Sequence, residues 1–116
     1  MTSDCLFCRI VAGELPATIV HETATTLAFR DIAPKAPVHV LVVPKAHHAD
    51  VAELAKADPA LAGEVLAAAA AVADVEGLVG SGFRVIFNTG EHGGQDVFHV
   101  HAHVLGGRRL GPMVSA

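Results

Sequence analysis

His99-Val100-His101-Ala102-His103-Val104-Leu105 decides the reading of this chain. Its three histidines recur every second residue, which is the strand period, so the imidazoles share one face while Val100, Ala102 and Val104 take the other. Neutral imidazole is a nucleophile, a hydrogen-bond partner and a metal ligand near pH 7. Such a row can therefore supply a nucleophile, a donor and an orienting group from one rigid element. An H-x-H pair on a strand can also chelate zinc. All three cannot easily share one ion, because His99 and His103 lie ~13 Å apart along an extended strand.

Working outward, the loop Asn88-Thr-Gly-Glu-His-Gly-Gly-Gln-Asp96 feeds directly into the histidines. It is too long and glycine-rich for a tight hairpin turn. Gly90, Gly93 and Gly94 let backbone N–H groups converge and approach a ligand, as phosphate cradles require. Gly82 to Thr89 reads as the strand before this loop, with Phe83, Val85 and Phe87 on one face. Val38-His-Val-Leu-Val-Val43, bounded by Pro37 and Pro44, is the clearest other strand. Thr18 to His21 and Thr25 to Asp31 read as a hairpin turning near Glu22 to Ala24.

Cys5 to Ala12 has a short helical pattern stopped by Gly13. The main helix starts at Asp58 as N-cap with Pro59 in the first position. Leu61, Val65, Ala68, Ala69, Val72 and Val79 form its expected core stripe. Its opposite face is mostly alanine and is read as a dimer contact. The order of helix, three strands, helix and two strands implies one α+β domain with an antiparallel sheet.

The 116 residues suffice for one core, and the formal charge of −4 argues against a nucleic-acid surface. The start Met-Thr-Ser-Asp-Cys has no leader pattern. The longest apolar run, Val65 to Ala73, falls short of the ~20 residues of a membrane helix. The expectation is a cytoplasmic protein that binds neither membrane nor nucleic acid. The only cysteines stand as Cys5-Leu-Phe-Cys8. In a reducing compartment that spacing reads as half a zinc site, a redox pair or two buried thiols. His47 or His48, together with His99, would complete four zinc ligands.

These stretches resemble the histidine-triad (HIT) superfamily, in its HINT-like branch of purine nucleoside phosphoramidases of bacterial type. The resemblance rests on Phe7-Cys-Arg-Ile10, Gly13-Glu-Leu-Pro16, Leu27-Ala-Phe-Arg-Asp-Ile32, Pro34-Lys-Ala-Pro-Val-His39, Val43-Pro-Lys45, Asn88, Gly93-Gly-Gln95, His99 to Leu105, Gly106-Gly-Arg108 and Leu110-Gly-Pro-Met113. It implies that residues 1–116 form a single HIT domain, a five-stranded antiparallel sheet with two helices. Two protomers would join into a ten-stranded sheet as a homodimer.

The resemblance implies hydrolysis of nucleoside 5′-phosphoramidates, of the adenosine 5′-monophosphoramidate and AMP-lysine type, with His101 as the nucleophile that becomes nucleotidylated. His103 would contact phosphate and leaving group, and His39 would orient the triad. Asn88 and the backbone N–H groups of Gly94 and Val97 would hold phosphate oxygens. Asp31 would accept ribose hydroxyls, with Phe7, Ile10, Phe29 and Ile32 enclosing the base. By likeness to other branches, Cys5, Cys8, His47 and His99 would hold a structural zinc, with His48 as the substitute for His47. No organic cofactor is implied. Asp96 stands at the nucleotide site where animal relatives carry a serine donor; a carboxylate there cannot donate and would favour a cationic amine leaving group. Two other readings stand beside this one. The first is a dinucleoside polyphosphate hydrolase or nucleotidyl transferase of another HIT branch. The second is a nucleotide- or zinc-binding adaptor with negligible turnover.

Overall fold

The computed structural model describes residues 4–114. In chain order the elements are α1 (Leu6–Val11), β1 (Ile19–Glu22), β2 (Thr26–Arg30), β3 (Val38–Pro44), α2 (Val51–Ala57), α3 (Pro59–Val75), β4 (Phe83–Phe87) and β5 (Ala102–Gly106). The strands form one antiparallel sheet in the order β1-β2-β3-β5-β4. β3 is central and buried from His39 to Pro44, which is why its sequence is apolar at every position but His39 rather than alternating.

The two faces of the sheet have separate jobs. One face, with Ala28, Val40, Val42, Ala102 and Val104, packs under Leu61, Val65, Ala68, Ala69, Val72 and Ala73 of α3. The other carries Leu27, Phe29, Leu41 and Val43, closed by Phe7 of α1. The register pairs Leu41 with His103 and His39 with Leu105. Both pairs lie on the α1 face, so the strand period delivers the histidines away from the main core.

Three features depart from expectation. The described residues hold three helices, because Val51–Ala57 forms a short helix capped by Asp50, whose Oδ1 accepts the Glu53 N–H at 2.9 Å. It buries only Leu54, so no apolar stripe announces it. Val79 is not in the core: α3 ends at Val75, and Gly77 at φ +72° closes it in a left-handed cap. The N–H of Leu78 bonds Ala73 O at 2.8 Å, so Leu78 is buried and Val79 is turned outward. Finally, β5 begins at Ala102 rather than at His99. His99 to His101 keep the two-residue alternation but leave the ladder, and the Val100 N–H bonds His48 O at 2.7 Å instead.

Candidate active site

The histidine protons can be placed from the backbone outward. The Lys35 N–H donates to His39 Nδ1 at 3.0 Å, so the neutral His39 ring carries its proton on Nε2. That Nε2–H points to His103 Nδ1 at 2.9 Å, with Asp31 Oδ2 at 3.4 Å. His103 therefore accepts at Nδ1 and holds its own proton on Nε2, a buried atom with no hydrogen-bond partner. His101 donates from Nδ1 to the carbonyl of His99 at 2.8 Å, which leaves the Nε2 lone pair free. The His101 and His103 rings are 4.9 Å apart, and Phe7 packs edge-on against His101 at 5.0 Å. Two neighbouring rings thus carry a free lone pair and an orphaned donor.

Burial favours the neutral form of His39, His99 and His103. Desolvation, then the neighbouring His101 and His39, push the His103 pKa down to about 4. His39 is lowered chiefly by burial, against the opposing pull of Asp31. His99, fully buried, is lowered by desolvation despite its hydrogen bond to Pro44 O. The trio Asp31, His39 and His103 is close enough to suggest a metal site. With its proton on Nε2, however, His39 offers no lone pair there. The trio is a hydrogen-bonded relay.

Beside it opens a cleft of about 440 Å³ lined by Asp31, Ala33, Lys35, His39, Ile86, Asn88, Gly94, Asp96, His103 and Leu105. Asp96 Oδ1 lies 4.0 Å from His101 Nε2. The loop that carries Asp96 is fixed by Gln95, which is buried. Its Oε1 accepts the Gly90 N–H at 3.0 Å, and its Nε2 donates to Ala49 O at 2.7 Å and Val97 O at 3.1 Å. Gly93 admits no side chain, since a Cβ would stand 2.4 Å from Thr89 O.

Behind the triad, Cys5, Cys8, His47 and His99 bring four ligand atoms within 4.8 Å of one another. His99 Nδ1 is 3.4 Å from Cys5 Sγ and 3.5 Å from Cys8 Sγ, and His47 Nδ1 is 3.3 Å from Cys8 Sγ. Ordinary zinc bond lengths in a tetrahedron give S···N edges of about 3.6 Å. Because His99 donates from Nε2 to Pro44 O at 2.8 Å, its Nδ1 faces the cysteines as a lone pair. Donor type, spacing and tautomer all fit zinc. His48 is outside the cluster, bonded through Nδ1 to Glu53 Oε2 at 2.6 Å, so His47 is the fourth candidate ligand.

The model of the HIT domain matches residues 12–110. The chain belongs to the HIT family. It is 40% identical over 115 residues to the purine nucleoside phosphoramidase of Escherichia coli K12, covering 99% of this chain and 97% of that protein. The HIT family hydrolase of Clostridium thermocellum superposes with a TM-score of 0.92 at 42% identity, covering 99% and 100% of the two chains. The HIT family hydrolase of Legionella pneumophila gives 0.87 at 47% identity, covering 91% and 95%.

Within this HIT domain the expected residues separate into groups. His39, His103, Asp31, Asn88, Gly94 and Asp96 line the cleft, with His101 against its wall. Phe7 and Phe29 are buried in the α1-side cluster, where Ile10 and Val97 pack against it, and Ile32 is fully exposed. These five residues do not line the cleft. Gly94 lines it, and its N–H bonds Glu91 O at 3.0 Å. Asp31 Oδ1 accepts the Ala33 N–H at 2.8 Å, so the carboxylate also builds the turn after β2. Sequence reasoning gave no role to Lys35 and Gln95. The N–H of Lys35 carries no signature of its own, whereas Gln95 follows two glycines in the motif.

Proposed function

We propose that the protein hydrolyses nucleoside 5′-phosphoramidates, of the adenosine 5′-monophosphoramidate and AMP-lysine type, through a nucleotidyl intermediate on His101. Membership of a family of nucleotide hydrolases supports the reaction class, and the name of the E. coli relative supports the P–N bond as target. One observation supports the finer reading: the His101 ring, whose Nε2 lone pair is left free, lies 4.9 Å from the ring of His103, whose Nε2–H is unpartnered. The lone pair attacks phosphorus as the P–N bond breaks, and the amine leaves with a proton taken from water. Water then displaces His101 and releases the nucleoside monophosphate. The His103 Nε2–H donates to a phosphoryl oxygen or the leaving nitrogen, where charge develops. His39 holds that donor in register through Nδ1 of His103. Asn88 and the Val97 N–H serve the phosphate oxygens, and the remaining lone pairs of Asp31 serve the ribose hydroxyls. Ile32 covers the base from outside, while Phe7, backed by Phe29 and Ile10, seats the triad.

The same reading assigns a structural zinc to Cys5, Cys8, His47 and His99. When bound, the ion supplies crosslinking rather than reaction chemistry, since four protein ligands leave no open position. It ties α1 to the segment after β3 and to the triad. The test of the reaction is mass spectrometry of protein quenched during turnover of adenosine 5′-phosphoramidate. A nucleotidyl adduct is expected on the peptide bearing His101, and none in His101→Ala. Undiminished turnover by His101→Ala would remove the proposal.

A further inference from the structure

The cleft wall nearest the proposed nucleophile carries a negative charge, at the place where an anionic phosphoryl group must arrive. Asp96 Oδ1 lies 4.0 Å from His101 Nε2, and its side chain is 85% exposed. Asp31 contributes a second carboxylate to the same cleft, and Lys35 is the only cationic side chain in its lining. The Lys35 ammonium bonds Ala33 O at 3.3 Å, on the Asp31 side. Asp96 itself is held out from a loop that Gln95 and Gly93 make rigid.

We infer that Asp96 is a specificity-determining residue that selects leaving amines bearing a second, positive charge. The inference rests on the phosphoramidate reading above. Phosphorus must come to bonding distance of His101 Nε2, so Asp96 becomes a neighbour of the phosphoryl group and of what departs from it. A carboxylate there opposes any substrate whose leaving group is anionic, such as a nucleoside polyphosphate. It attracts one whose leaving group ends in an ammonium, offsetting its repulsion of the phosphoryl charge. Because Asp96 is exposed, the preference is screened by salt. In the reaction, the His101 Nε2–P bond forms and the P–N bond breaks. The electron pair goes to the amine nitrogen, which takes a proton from water, and the distal ammonium keeps its charge throughout.

Two adenosine 5′-phosphoramidates of equal shape isolate this effect, one made from pentylamine and one from 1,4-diaminobutane, differing only in a terminal methyl or ammonium. The full-length protein as purified should show kcat/KM at least about tenfold higher for the ammonium-bearing substrate. That ratio should shrink towards one in Asp96→Asn and in Asp96→Ser, and also in the unaltered protein as salt rises from 0.02 to 0.5 M. Reading a ratio cancels any general loss of rate in the variants. A ratio near one in the unaltered protein, or one that survives both substitutions, overturns the role of Asp96 and leaves the phosphoramidate reading standing. Failure to cleave either substrate overturns both.

Discussion

At the scale of single residues, His103 gives the site its pH signature. Its pKa falls from 6.5 to about 4 on folding, mainly by desolvation. Between those values the unfolded chain holds a proton that the folded chain refuses, so stability rises with pH across this window and is lost on acidification. His39, lowered for the same reason, acts in the same direction. Urea midpoints should therefore fall from pH 6.5 to pH 4, and His103→Asn should show a shallower fall. Equal slopes in the two proteins would contradict the assignment. Gln95→Ala should cost about 1–3 kcal/mol by leaving buried loop groups unpaired. It should also raise KM several-fold with a smaller change in kcat, read by thermal melts and steady-state kinetics. Unchanged KM would mean that the loop holds its shape without the amide. The triad and the cysteine pair were legible in the sequence because residue type and spacing mark their chemistry, whereas Asp31 and Asn88 were named only through the resemblance to the HIT family. Gln95 bonds to Ala49, 46 positions away, and that partner cannot be read from local pattern.

Elements repeat the lesson with different physics. The strands were readable because alternation and flanking prolines are local signals, and α3 because Asp58, Pro59 and a long apolar stripe agree. Asp58 does accept the Leu61 N–H at 3.0 Å. α2 was missed since seven residues around a single anchor carry no period, although Asp50 with Glu53 is the outline of a capping box. The end of α3 was misplaced because Val79 falls on the stripe, while Gly77 and its left-handed cap decide the outcome. Gly77→Ala should accordingly destabilise the protein by about 1 kcal/mol despite the open space around its Cα. A melting temperature at or above that of the parent would reject this view of the cap. α1, only six residues long, is too short to persist unaided. Zinc should co-purify at about one ion per chain. Its removal should lower Tm more than it lowers kcat at moderate temperature, as checked by metal analysis, melts and kinetics before and after chelation.

At the scale of the whole molecule, α3 leaves Ala60, Gly63, Leu66, Ala67, Ala70 and Val75 exposed along its outer side. An apolar surface of this kind marks a contact, and a homodimer is the expected state. Sedimentation at micromolar concentration should give twice the 11.9 kDa of one chain, and a single species of 11.9 kDa would refute the expectation. No helix among the described residues is long and apolar enough to cross a membrane. The two rims of the sheet differ in a way that matters for handling the protein. β1 is broken by a register shift between Ile19 and His21 and ends in Glu22, both of which discourage another strand from docking. β4 has no such shift in its pairing with β5, and its sequence, Phe-Arg-Val-Ile-Phe, holds one charge and no proline. Its outer row of amide and carbonyl groups is a template waiting for a neighbour. In the ten-stranded homodimer that the family resemblance implies, that rim would be covered by the partner's strand, so substitutions placed in β4 to prevent the pairing should yield insoluble, strand-to-strand stacks more readily than a well-behaved single chain, and the yield of soluble protein reports whether the rim is covered.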